Sequence, residues 1–172
     1  MTIAGRIRQT LQFVSAWGRP VPDEVAQAIL SDAEFNLYLK MSRAERQHHL
    51  RVLQDLQESG HTHPALSKAA LLHDVGKTRF RFSLPERILV VLVKRFLRRA
   101  FVKWSDAPPK GWKRPFVISQ HHPAWGAELA ESAGCDALTV ELIRRHQMPI
   151  PQPPVTEAEQ LLTALHIADN RS

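Results

Sequence analysis

The stretch Pro64-Ala-Leu-Ser-Lys-Ala-Ala-Leu-Leu-His-Asp-Val-Gly-Lys77 decides the fold. Proline suits the first turn of a helix, where its missing N–H has no intrahelical partner to lose. Leu66, Ala69 and Ala70 recur at helical spacing, and His73 is next in register. Gly76 is the expected stop, just past His73-Asp74. This segment predicts a core-facing helix that ends on a histidine and an aspartate. The same period recurs outward along the chain. Ile3, Ile7, Leu11 and Val14 predict a first amphipathic helix, and residues about 22–30 a short one. Ser31-x-x-Glu34, Ser42-x-x-Glu45 and Thr156-x-x-Glu159 are capping boxes that open further helices. Leu84 to about Trp104 reads as one long amphipathic helix, and Pro123 and Leu138 open two more. No segment sustains a strand's alternation. The expected fold is an all-α, single-domain helical bundle of about seven to nine helices.

A chain of 172 residues, 44% hydrophobic and 23% charged, supports one domain with a sizeable core and excludes a disordered protein. The single cysteine, Cys135, excludes an internal disulfide framework and a multi-cysteine zinc site. No apolar run approaches a membrane span; Ile88–Val93 is the longest near the middle. Thr10, Gln12 and Ser15 interrupt any signal-peptide core after Arg6 and Arg8, so a cytoplasmic location is expected. The net charge of +6 is uneven. Eleven Lys/Arg against Glu86 and Asp106 give 11 − 2 = +9 between Arg79 and Arg114, leaving 6 − 9 = −3 elsewhere. Such a segment suits a phosphate-bearing partner: nucleotide, nucleic acid or anionic lipid. Within it, Ile88–Trp104 is expected to pack on the core with a wet basic face, an anionic membrane surface being the alternative.

Several of the nine histidines stand on apolar stripes. His122 lies four residues before Gly126, His146 follows Leu142 and Ile143 in register, and Asp169 follows Leu162 and Leu165. Val52 points back to His48, and Leu53 to His49. Two core-facing aspartates are costly unless paired or metal-bound, and the helical projection offers no buried lysine or arginine to pair them. A shared divalent cation accounts for both. Imidazole and carboxylate ligands without thiolate suit Fe, Mn, Co, Ni, Zn or Mg.

Leu71-Leu72-His73-Asp74-Val75-Gly76-Lys77 resembles the signature of the HD superfamily of metal-dependent phosphohydrolases. His48-His49-Leu50-Arg51-Val52 is similar to that family's first histidine helix, and the spacing to the valine selects His48. His122-Pro123-x-x-Gly126 and His146 resemble the extra histidines of the two-metal branch, and Ala168-Asp169 the closing aspartate. The resemblance implies an N-terminal helical extension over residues 1–42 and an HD-type domain over 43–172. It implies one or two divalent ions, with His48, His73, Asp74 and Asp169 on one, His122 and His146 on the other, and Asp74 between them. The implied activity is hydrolysis of a nucleotide or related phosphate ester by metal-activated water. A metal-bound module that senses nucleotide or nucleic acid without turnover is the alternative.

Departures narrow the substrate. The cyclic-di-GMP branch carries Gly-Tyr-Pro after its later histidines, where this chain reads His146-Gln-Met-Pro149. The ppGpp branch carries Glu-Asp soon after its His-Asp, where Gly76-Lys77-Thr78-Arg79 stands here. Motif order is closer to the small bacterial enzymes that split diadenosine tetraphosphate, in which threonine typically takes the place of Gln147. Asp74 and Lys77 are the expected catalytic residues, Lys77 holding a phosphate oxygen. His121 and His166 are expected as structural neighbours of the site, and His61 and His63 as loop residues. Lys110, Lys113 and Arg114 are placed at the rim for remote phosphates; Trp104, Trp112 and Trp125 beside them are expected to pack within the fold, stacking on a base being the alternative.

Overall fold

Local sequence signals explain most helix starts in the computed structural model, which describes residues 21–172. The helix expected over Ile3–Val14 lies outside the described residues. Nine α-helices, two short 3-10 turns and no strand make up the described part, as the periodicity requires. They are α1 (Asp23–Gln27), α2 (Asp32–Tyr38), α3 (Arg43–Glu58), α4 (Pro64–Leu72), α5 (Leu84–Phe96), α6 (Arg98–Ser105), α7 (Arg114–Ser132), α8 (Ala137–Arg145) and α9 (Glu157–Arg171). The 3-10 turns are Val75–Arg79 and Gly111–Lys113. The capping boxes at Ser31, Ser42 and Thr156 are closed in both directions, satisfying N–H groups that a helix start leaves orphaned.

The main core joins α3, α4, α7, α8 and α9 through residues such as Leu53, Leu66, Leu71, Ala127, Ile143 and Leu165. Ala26, Leu37 and Tyr38 of α1 and α2 belong to the same core. A second cluster, Val90, Val93, Phe101 and Phe116, packs α5 and α6 onto α7. This second cluster is why the expected Leu84–Trp104 helix is two helices. The chain breaks at Leu97 (φ −129°, ψ 50°), with neither proline nor glycine to cause it, so that Val93 and Phe101 can both bury. Pro123 does not open a helix either. It lies inside α7, and the helix continues through it.

Gly76 differs from its expected role as well. It sits within the 3-10 turn at a negative φ, so no left-handed stop is involved. Its function is close approach: a Cβ there would overlap the His122 carbonyl oxygen and come within 2.6 Å of the Gly126 amide nitrogen. A side chain on Gly76 would therefore push α7 away from the end of α4. At Gly126 an added Cβ meets the Gly76 nitrogen and Ile143 Cγ2 at 3.2 Å, a tight but less severe contact.

Gly76→Ala should therefore cost about 3 kcal/mol, the upper end of ordinary overpacking, and Gly126→Ala distinctly less. Urea denaturation of both variants checks the order; equal losses would show that the backbone contact is not the constraint.

Glu34 supplies a second check. Burial opposes its ionisation, but the hydrogen bonds from Lys68 and from the Ser31 amide outweigh burial and hold its carboxyl below the ordinary range. A depressed folded-state pKa contributes stability that is complete above the unfolded value, about 4.3. That stability is lost as pH falls through the folded value. Glu34→Gln should thus melt several degrees lower at pH 7, and the gap should close at pH values below the ordinary carboxylate range.

Candidate functional site

Backbone carbonyls that the helices leave unsatisfied aim the site's histidines. His73 caps the C-terminus of α4, and its Nδ1–H donates to the Ala70 carbonyl three residues back, at 3.1 Å. His146 does the same at the end of α8, donating to Ile143 at 2.8 Å. His49, fully buried on α3, donates across to the Leu71 carbonyl of α4 at 2.7 Å. In α7, Pro123 has no N–H for the Ser119 carbonyl, and the His122 ring covers that carbonyl at 3.1 Å and Ile118's at 3.0 Å. A carbonyl can only accept, so Nδ1 carries a proton in all four rings, and each ring turns its Nε2 inward.

These four nitrogens converge on one carboxylate. Asp74 Oδ1 lies 3.0 Å from His122 Nε2 and 3.5 Å from His146 Nε2. Its Oδ2 lies 3.8 Å from His73 Nε2 and 4.0 Å from His49 Nε2. Asp169 Oδ1 from α9 adds a second carboxylate, 2.9 Å from His48 Nε2 and 3.7 Å from His73 Nε2. Two sets, His48 with His49 and His73, and Asp74 with His122 and His146, present ligand atoms within 4.8 Å of one another, close enough to hold a metal ion.

The electrostatics suit a cation. Burial lowers the His122 pKa to about 4, so the ring is neutral at pH 7 and its lone pair faces a carboxylate oxygen. Burial also pushes the His73 pKa well down, reinforced by His49. For Asp74, burial works against the anion, but the Lys77 ammonium beside it holds the carboxyl well below its ordinary value. Burial works against the Asp169 anion too, and the hydrogen bond it accepts from His48 Nε2–H holds its carboxyl down. The Nε2 atoms of His49, His73 and His146 and Nδ1 of His48 are buried without a hydrogen-bond partner. Buried acceptors in this state are costly, and a divalent ion satisfies several at once.

One expectation is corrected here. Lys77 contacts Asp74 Oδ2, so a cation does reach the buried aspartate. Helical projection could not find it because α4 ends at Leu72; Lys77 comes from the following 3-10 turn, with a different register. Asp74 itself sits at φ −100°, ψ 2°, outside the helix, which frees its carboxylate to face both sets. The argument for a metal therefore rests on the facing lone pairs rather than on unpaired aspartates.

All six sequence-expected ligands, His48, His73, Asp74, His122, His146 and Asp169, meet in this region together with Lys77. His49, which the resemblance set aside for His48, is present too, its ring 4.3 Å from that of His73. The register of Leu53 was the signal for it. Gln147 was visible only as a departure; its side-chain nitrogen lies 3.3 Å from His122 Nε2. His166 bonds the His146 carbonyl, holding the end of α8, whereas His121 bonds Ser105 outside the cluster. His63 caps α4 by accepting from Ala65 N–H, and His61 is exposed.

Above the cluster opens a cavity walled by Arg51, Lys77, Arg87 and Gln147 and by apolar Phe82, Leu84, Val90 and Val91. Arg87 is tied to Glu45 at 2.6 Å across this wall. Lys110, Lys113 and Arg114 do not line it: Lys113 lies over Trp112, and Arg114 is paired with Glu86. Nor do Trp104, Trp112 and Trp125, which pack against Phe116 or Phe80. The tryptophans thus pack within the fold as expected, and the rim expected of Lys110, Lys113 and Arg114 is formed instead by α5, which the second apolar cluster folds over the site.

The HD-domain family model matches residues 46–172, and the chain belongs to that family, whose members are generally metal-dependent phosphohydrolases. No curated protein and no solved structure matches the chain.

If the lone pairs are satisfied by an ion, metal and stability are coupled. Exhaustive chelation should lower the melting temperature, and adding back a divalent ion should restore it. An unchanged melt after elemental analysis confirms metal loss would count against the site.

Proposed function

We propose that this chain is a metal-dependent phosphohydrolase acting on a nucleotide or a related phosphate ester. The observation that carries the reading is the position of Asp74, whose two oxygens face separate groups of inward-turned histidine nitrogens. In this reading His48, His73, Asp74 and Asp169 would hold one divalent ion, and His122 and His146, together with Asp74, would hold a second. A bound divalent ion neutralises phosphoryl oxygens and lowers the pKa of a water to make a nucleophile.

The chain's own residues then position the substrate. Lys77, beside Asp74, donates to a phosphate oxygen, and Arg51 stands in the wall of the same cavity. Phe82, Leu84, Val90 and Val91 offer the rest of the molecule an apolar wall, as a nucleoside or another organic leaving group requires. Gln147 fills the position beside His122 and narrows that side of the cavity. The Nδ1–H bonds to backbone carbonyls keep the rings from turning, so the lone pairs need no reorganisation.

Metal stoichiometry and phosphate release test this reading together. The protein should bind two ions at saturation, and His146→Ala one, with the fold retained. Released phosphate should be found across a nucleotide panel with Mn, Co, Ni or Mg, and Asp74→Asn should lower the rate at least about a hundredfold. Nucleotide binding without release under any metal would instead establish the sensing module.

A further inference from the structure

Helix α5 has two apolar faces, and the described residues cover only one of them. Val90 and Val93 enter the second core cluster, while Ile88, Leu89, Leu92 and Phe96 point to solvent. At 100° per residue those four occupy one arc of about 100°. Phe96 is 71% exposed and Leu92 49%. The expectation of a wet basic face for this segment holds in part: Arg95, Arg98, Arg99 and Lys103 are exposed, but on α5 the outward arc beside them is apolar. A helix that is apolar nearly all round is one that something else covers.

Past the break at Leu97 (54% exposed), α6 continues outward with Arg98, Arg99, Val102 and Lys103, all exposed. Among the described residues no carboxylate pairs with Arg98, Arg99 or Lys103, although carboxylates neutralise Arg79, Arg87 and Arg114 nearby. The uncovered apolar arc thus adjoins uncompensated positive charge, a combination that selects its partner. A second copy of this chain would set cation against cation. So would residues 1–20, which carry Arg6, Arg8 and Arg19 and no acid. A nucleic acid would meet the cations but gain little from Ile88, Leu89 and Leu92, which offer no ring to stack on a base. An anionic bilayer uses both features, with apolar side chains at the headgroup–acyl boundary and cations at the lipid phosphates.

We propose that the outward face of α5 and α6 docks on an anionic membrane surface. Leu89, Leu92 and Phe96 enter the interface, and Arg98, Arg99 and Lys103 meet the lipid phosphates. Docking is interfacial, since 13 residues of α5 fall well short of the ~20 that a crossing needs. It is also independent of turnover, because none of these six residues lines the cavity.

Vesicle co-sedimentation of the full chain tests it. The protein should pellet with phosphatidylcholine vesicles containing phosphatidylglycerol and stay in solution with phosphatidylcholine alone. Leu89→Glu/Leu92→Glu should abolish pelleting with little change in melting temperature, since both side chains are about half exposed and outside the two core clusters. Arg98→Glu/Arg99→Glu provides an independent variant, expected to bind at least about tenfold more weakly. Raising the salt concentration should weaken binding of the unchanged protein. No pelleting with anionic vesicles overturns the proposal, and so does pelleting that survives both variants. Binding to duplex DNA but not vesicles would assign the surface to nucleic acid instead. Self-association abolished by Leu89→Glu/Leu92→Glu, without vesicle binding, would assign it to a second copy.

Discussion

A helix must leave its last carbonyls without intrahelical partners, and this protein gives those carbonyls to imidazole rings. His73 and His146 bond the carbonyls three residues before them, at the ends of α4 and α8, and His49 takes another from α4. His122 covers the carbonyl that Pro123 cannot reach with an N–H. Each bond gives a carbonyl at a helix end or at the Pro123 interruption a partner, and turns the ring's other nitrogen inward. The same hydrogen bonds that finish the helices thus build the donor set. Four lone pairs aimed at carboxylate oxygens are a poor arrangement for a protein alone and a good one around a cation.

That donor set needs the two halves of the bundle in close register. The α7 backbone approaches the 3-10 turn so closely at Gly76 that no side chain fits between them. This contact carries His122 to 3.0 Å from Asp74, while α8 brings His146 to 3.5 Å from the same oxygen. On the other side, α3 and α9 supply His48 and Asp169. Asp74 is shared because it has left the helix, in a turn that also returns Lys77 to its carboxylate. A regular continuation of α4 would have carried Lys77 past the site.

Helix α5 links the cavity to the exterior. Leu84, Arg87, Val90 and Val91 wall the site, and Ile88 and Leu89 between them in sequence are exposed. The Arg87–Glu45 pair ties this wall to the first turn of α3, five residues or fewer from His48 and His49. An organic group bound against α5 is thus held by the same helix whose opposite face is uncovered. The division of one helix between a site and a surface follows from the break at Leu97, which lets α6 fold back on the second apolar cluster.

Periodicity, caps and the order of histidines and aspartates were legible in the sequence because each depends on neighbours within about one helical turn. They determined the all-α bundle, the family and the six side chains that meet at its centre. They also left His48 and His49 side by side, since adjacent residues on one helix differ only in which partner element each faces. Tertiary contact decided that both enter the region: His48 meets Asp169 on α9, and His49 meets the Leu71 carbonyl on α4. Contact across the fold likewise broke the long basic helix, kept Pro123 inside α7 and turned Lys77 toward Asp74. Those features arise from groups distant along the chain competing for the same space and hydrogen bonds, and a local pattern carries no record of that competition.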